Sequence, residues 1–227
     1  MTVGGRRRDS GAACGPELEG VFRSVEDYYT GQLTEHGATP LGVDWSCQAT
    51  QWLRFVQLLR ICRFDTAVSL NDLGCGYGEL ATFLHQRYPR ASVDYLGIDL
   101  SPAMVQRARR RHRGDPATRF AVGRTCQRQA DYSVASGIMN VQLGFSLSLW
   151  EDFVRGILLD MHCHSRQGFA VNFCVSRRPD LRDDELYCSA PDPWVRYCEA
   201  ELGCSVEVVA DYGLGEYTLM VRPEHLS

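Results

Sequence analysis

The chain has 227 residues, 44% of them hydrophobic and 23% charged, with a formal net charge of −4 at pH 7 and a pI near 5.9. That length suits one sizeable domain, and the acidic balance gives no electrostatic reason to expect nucleic acid as the main partner. No apolar run approaches the ~18 to 20 residues of a membrane span, and the arginine-bearing N-terminus has no apolar segment behind it, so the expectation is a cytoplasmic protein with no membrane partner.

Residues 1–18 are rich in Gly, Ser and Arg and read as a disordered tail. Residues 19–63 read as a helical segment, with amphipathic spacing in "ELEGVFRSVEDYYTGQL", a break at Gly37 and Pro40, and a second helix over "SCQATQWLRFVQLLRICR". Ser46 is the expected N-cap of that helix, and Trp52, Phe55, Val56, Leu59 and Ile61 its apolar face. Residues 64–227 then alternate strand and helix. "AVSLNDL" is a strand and "GELATFLHQRYP" a helix; "SVDYLGIDL" is a strand and "SPAMVQRARRRH" a helix opened by Ser101 and Pro102. "TRFAVG" and "DYSVASGIM" are strands, "LWEDFVRGILLDMHCHS" a long helix, and "GFAVNFCVS" a fifth strand. An irregular polar stretch, a short helix "PWVRYCEAELG" and two strands, "CSVEVVADY" and "GEYTLMVRP", complete the chain. The short link between the last two predicts an antiparallel hairpin at the sheet edge. The fold class expected is therefore α/β, a doubly wound, mostly parallel seven-stranded sheet with an antiparallel final strand and an N-terminal helical lid.

The stretch "NDLGCGYGEL" places Gly74, Gly76 and Gly78 at every second position, directly after an apolar strand that carries Asp72 near its end. A turn this tight lets a ligand approach the backbone at a helix N-terminus, and Asp99, at the end of the second strand, stands where a carboxylate accepts hydrogen bonds from ribose hydroxyls. The spacing differs from the G-x-G-x-x-G dinucleotide fingerprint, whose third glycine lies three residues after the second.

This D-x-G-x-G-x-G pattern resembles motif I of the class I S-adenosylmethionine-dependent methyltransferases, and "YLGIDLSPAMV" resembles that family's next motif. The resemblance covers about residues 66–221 and implies S-adenosylmethionine as cofactor, held by Asp72, Gly74, Cys75, Gly76, Gly78, Asp99 and Leu100, with Ser136 after strand four also expected on it. Many relatives carry an acid after strand three that contacts the adenine amine. Here "FAVGRTCQ" stands in that place, with Gly123, Arg124 and Thr125, which leaves Val122 and Cys126 either as apolar adenine contacts or as strand-end core. "SGIMNVQ" after strand four lacks the [D/N]-P-P-[Y/F] tetrapeptide of enzymes that methylate base amines, so the resemblance implies a small-molecule acceptor of natural-product or sugar-precursor type. An alternative is an enzyme on the same fold that cyclises or cleaves the cofactor itself and releases methylthioadenosine.

A sulfonium methyl needs alignment more than a strong base. Candidate catalytic groups are Asn140, which either orients a substrate or caps a loop, His36, with an unperturbed pKa of ~6.5, and Tyr187. Tyr28, Tyr29, Tyr212 and Tyr217 are candidate substrate contacts, Trp45 a cation–π partner for the sulfonium, and Arg54 either a partner of the cofactor carboxylate or an ordinary surface arginine. No metal site is expected: "MHCH" (His162, Cys163, His164) reads as a helix end, and Asp183, Asp184 and Glu185 as a solvated run. The arginines at 107, 109, 110, 111 and 113 read as a solvated helix end, the ten scattered cysteines as reduced and mostly buried thiols, and the assembly as a monomer or homodimer.

Overall fold

The computed structural model describes residues 15–175 and 186–224. Seven strands form one sheet in the order β3-β2-β1-β4-β5-β7-β6: β1 Val68–Leu73, β2 Val93–Asp99, β3 Thr118–Val122, β4 Ala130–Ala135, β5 Ser165–Cys174, β6 Cys204–Val209 and β7 Glu216–Pro223. The strands from β3 across to β5 pair in parallel, while β7 lies antiparallel between β5 and β6, so the closing hairpin has β6 at the edge.

Among the described residues six α-helices flank it: α1 Pro16–His36, α2 Gln48–Leu58, α3 Glu79–Arg87, α4 Pro102–Arg111, α5 Leu147–Cys163 and α6 Asp192–Ala200. Alternate strand residues serve two cores, as period-2 side-chain direction requires. Leu73, Ile98, Ala135, Val171 and Leu219 pack with α1, α5 and α6, whereas Leu70, Tyr95, Val134, Ala170 and Met220 pack with α2, α3 and α4. Strands buried on both faces read as continuous apolar runs, which is why they were legible.

Several local expectations are corrected. Residues 16–18 belong to α1, whose Pro16 occupies the first turn where a missing N–H costs nothing. Cys47, not Ser46, is the N-cap of α2, and Ser46 Oγ lies 3.3 Å from the Thr50 hydroxyl. Val56 is exposed, and the inner face of α2 is built by Gln51, Arg54, Phe55 and Leu58. Nine cysteines are described, none of them in a disulfide; Cys75, Cys126, Cys198 and Cys204 are buried, but Cys47, Cys163 and Cys188 are exposed. The five arginines of the α4 region lie at the surface, yet two have partners: Arg109 donates to the Phe120 carbonyl and Arg111 pairs with Glu79 at 2.7 Å.

Candidate active site

A cleft of about 940 Å³, its solvent mouth included, opens at the carboxyl ends of β1, β2 and β4 and is roofed by α1 and the 37–47 link. This is the crevice where an open α/β sheet reverses strand order, β1 being flanked by β2 and β4. The glycine turn forms its floor. Gly74, Gly76 and Gly78 have φ of +78°, +53° and +83°, a region that side-chain-bearing residues adopt at a cost. A Cβ on Gly74 would stand 2.1 Å from Ile138 Cγ2. The Gly74 and Cys75 amides both donate to the Ile98 carbonyl, at 2.7 and 3.0 Å, which folds the turn back onto the end of β2.

That fold-back joins the turn to Asp99. Asp99 Oδ2 accepts from the Gly76 N–H at 2.8 Å and Oδ1 from the Ser101 N–H at 2.9 Å. Burial pushes the Asp99 carboxyl up to about 6, against the pull of these two amides. Asp72, buried at the end of β1, accepts a short hydrogen bond from the Tyr95 hydroxyl, and burial raises it to about 7. Leu100, Cys75 and Ser136 also line the cleft, and the Ser136 hydroxyl is a buried polar atom with no partner among the described residues.

Other sequence-predicted residues are placed elsewhere. Arg54 does not meet the cleft: its guanidinium forms a buried, bidentate pair with Glu216, with Nε 2.9 Å from both carboxylate oxygens, and covers one face of Trp45 at 3.7 Å. Trp45 does line the cleft, and its ring lies where a Cβ on Gly137 would fall, 2.5 Å away. A cation already occupies one of its faces, which removes that face from any sulfonium contact. Asn140 is buried in structural bonds, with Oδ1 accepting from Cys174 N–H at 3.2 Å and its carbonyl accepting from Tyr187 N–H at 2.7 Å. Tyr187 packs edge-on to Trp194, and Tyr217 stacks on Phe173 and donates to the Ala190 carbonyl at 3.1 Å. Tyr212 lies 3.2 Å from the Thr218 hydroxyl. None of these four lines the cleft.

Val122 is exposed at the end of β3 and Cys126 lies in the core, so Gly123 and Arg124 take the place expected of them at the cleft wall. His36 is exposed in the last turn of α1, 3.8 Å from Glu35. Tyr29 lines the cleft while Tyr28 packs against it edge-on, and both hydroxyls hydrogen-bond Asp44. His162 contacts Cys204 Sγ at 3.3 Å and His164 contacts Asp160 at 3.1 Å. Among the described residues no group of three or more His, Cys, Asp or Glu could hold a metal, and Asp183, Asp184 and Glu185 lie outside them. No described helix is long and apolar enough to cross a membrane.

Glu79, Gln51 and Glu26 are polar cleft residues that the sequence did not point to. Glu79, the first residue of α3, is buried and accepts from Gln48 at 3.2 Å and Trp52 at 3.0 Å besides pairing with Arg111. Gln51 accepts from the Tyr77 hydroxyl at 3.3 Å, and Glu26 enters from α1. A charge directly after three glycines was a signal for Glu79; the others follow only from how α1 and α2 dock.

Residues 71–167 match the model of a methyltransferase domain family. A Mycobacterium tuberculosis protein assigned to the methyltransferases is 40% identical over 167 residues, 72% of this chain and 98% of its own length. The chain belongs to the class I S-adenosylmethionine-dependent methyltransferases. Trans-aconitate 2-methyltransferase of Escherichia coli is 44% identical to it over 54 residues, which are 24% of this methyltransferase and 21% of that enzyme. The fold is shared with magnesium protoporphyrin IX methyltransferase of Synechocystis, at a TM-score of 0.61 and 11% identity over 93% of this chain and 99% of that one. It is shared also with mitomycin 7-O-methyltransferase, at 0.62 and 15% over 93% and 62%.

Proposed function

We propose that this methyltransferase acts on a small-molecule acceptor, and the observation that carries the reading is the enclosure of its cleft. The space of about 940 Å³ is walled on the sheet side by the glycine turn and on the other by α1, Val43 and Trp45. Small-ligand sites are concave and mostly apolar with a few convergent polar groups, and this cleft, where Val43, Trp45, Leu80 and Ile138 stand beside Asp72, Asp99 and Gln51, has that character. The bound cofactor supplies a methyl group activated by its sulfonium.

The residues present fit such a cofactor. The left-handed glycines clear backbone space, Asp99 offers an acceptor at the end of β2, and the unpartnered Ser136 hydroxyl has a bond still to make. In this reading Asp99 holds the ribose, Gly74 and Gly76 admit the methionine end, Gly123 and Arg124 border the adenine, and Asp72 sets the negative potential that attracts a sulfonium and an ammonium. Tyr29, Trp45 and Gln51 wall the acceptor side, with Asp44 drawing the Tyr29 hydroxyl into a fixed orientation. The small-molecule methyltransferases that share the fold support the acceptor class.

The test is incubation of the purified protein with S-adenosylmethionine alone and then with a panel of small hydroxyl and amine compounds, RNA and protein. S-adenosylhomocysteine that forms only with a small compound is the expected product. Methylthioadenosine without any acceptor, or methylation confined to the macromolecules, overturns the reading.

A further inference from the structure

We infer that Glu26, on the roofing helix α1, is a second carboxylate acceptor for the ribose hydroxyls of the bound nucleoside, facing Asp99 across the cleft, so that the ligand itself fastens α1 onto the sheet. This rests on the cofactor reading above and adds to it a residue that the sheet motifs do not contain.

The register of α1 brings Glu26 to the cleft. Phe22, Val25, Glu26 and Tyr29 occupy positions i, i+3, i+4 and i+7, one stripe of a helix, and all four line the cleft. The outward positions Arg23 and Asp27 are exposed. An acid is thus built into the stripe that otherwise carries the aromatic and aliphatic contacts. Glu26 is half-buried in the cleft wall, and among the described residues no hydrogen bond or ion pair reaches it. Its neighbour on the helix, Glu19, is by contrast paired with Arg124 at 2.5 Å.

The position of Glu26 along the cleft is fixed by what lies one turn to either side. Thr30 Oγ1 is 2.7 Å from Ser101 Oγ, the N-cap of α4 two residues beyond Asp99. Phe22 meets Phe153 edge-on at 5.2 Å and carries the Arg124 guanidinium 5.3 Å from its ring centre, at the wall after β3. Glu26 therefore stands between the Asp99 loop and the β3 wall, above the ribose position. Its charge is close enough to raise the Asp99 carboxyl further.

Two like charges brought together over a cavity repel, and each Asp99 oxygen already accepts one backbone N–H. A vicinal diol has two O–H donors at the spacing needed to satisfy one carboxylate on each side. The ligand replaces a repulsion between lid and sheet by two charge-assisted hydrogen bonds.

The test uses the full-length protein and S-adenosylhomocysteine with its 2′-deoxy and 3′-deoxy analogues, titrated by calorimetry against wild type, Glu26→Gln and Asp99→Asn. Wild type is expected to bind S-adenosylhomocysteine and Glu26→Gln to bind it about tenfold or more weakly, as for loss of a hydrogen bond to a charged group. That deficit disappears for the one deoxy analogue that lacks the hydroxyl Glu26 accepts from, a comparison of two ligands on one folded variant that is insensitive to any change in stability. Amide exchange in α1 should slow on ligand binding in wild type and slow less in Glu26→Gln. Equal affinity of wild type and Glu26→Gln for S-adenosylhomocysteine, or an equal deficit for both deoxy analogues, overturns the inference. If Asp99→Asn loses affinity while Glu26→Gln does not, the cofactor reading stands without it; if wild type binds none of the three ligands, the cofactor reading itself fails.

Discussion

Gly74 and Gly144 separate two costs that a glycine can hide. Both have positive φ, +78° and +71°, but a Cβ on Gly144 meets nothing within 4 Å whereas one on Gly74 collides with Ile138 in the cleft wall. Gly144→Ala should lose only the left-handed strain, about 1 to 2 kcal/mol by urea denaturation. Gly74→Ala should lose at least as much and also displace Ile138, so its affinity for S-adenosylhomocysteine should fall more than tenfold while that of Gly144→Ala stays at the wild-type value. Equal binding by the two variants would remove the turn from the ligand site. The carboxylates make a second prediction at this scale. Asp99 and Asp72, raised to about 6 and about 7, are held above the usual carboxylate value, so the folded protein takes up protons that the unfolded chain releases. Their contribution to the empty protein's stability is present below the unfolded pKa and lost as pH rises towards 7. A cationic cofactor prefers both groups ionised, so its affinity should run the opposite way, weakening as pH falls from 7.5 to 5 with proton release on binding. Calorimetry in buffers of different ionisation enthalpy reads that proton count, and a pH-independent affinity would deny the two acids a role.

At the scale of elements, the order of strands and helices was legible because each carried its own signal: apolar runs for buried strands, a glycine turn, and a Ser-Pro helix start. The contacts between distant elements were not. Arg54 read equally well as a cofactor partner or a surface residue, because nothing near it in the chain points to Glu216, 162 positions away. The structure shows a chain of buried bonds in which Arg54 pairs with Glu216, Asn172 donates to Glu216 at 2.6 Å, and the Gly137 N–H donates to Asn172 Oδ1 at 2.9 Å. Asn140, Tyr187 and Tyr217 were misplaced for a related reason, since polar side chains that tie loops to strand ends look in sequence like side chains that meet substrate. A buried ion pair is costly mainly when broken. Arg54→Met should destabilise by about 3 to 5 kcal/mol because it strands the Glu216 charge, and the double variant Arg54→Met with Glu216→Leu should recover most of that loss. Urea midpoints of the singles and the double decide it; a double variant no better than the sum of the singles would mean that Arg54 and Glu216 are not energetically coupled.

At the scale of the molecule, the cleft lies where the two cores meet. Leu73 and Ile98 belong to one core and Cys75 and Leu80 to the other, and the glycine turn passes between them. The roof crosses the same seam: Val21 and Val25 of α1 pack into the first core, Phe55 of α2 into the second. A ligand in the cleft therefore touches groups that both cores hold, and its binding energy should appear as stability of the whole fold instead of one loop. At a hundredfold excess over its dissociation constant a ligand that binds only the folded state adds about 2.7 kcal/mol. For a chain of this length each kcal/mol moves the melting temperature by about 2 to 4 °C, so S-adenosylhomocysteine at that excess should raise it by about 5 to 10 °C in a single transition. Asp99→Asn, at the same ligand concentration, should show a much smaller rise, because weaker binding leaves less of the folded state occupied. Two separate transitions, only one of them shifted by ligand, would show that the cores melt independently and that the cleft does not couple them.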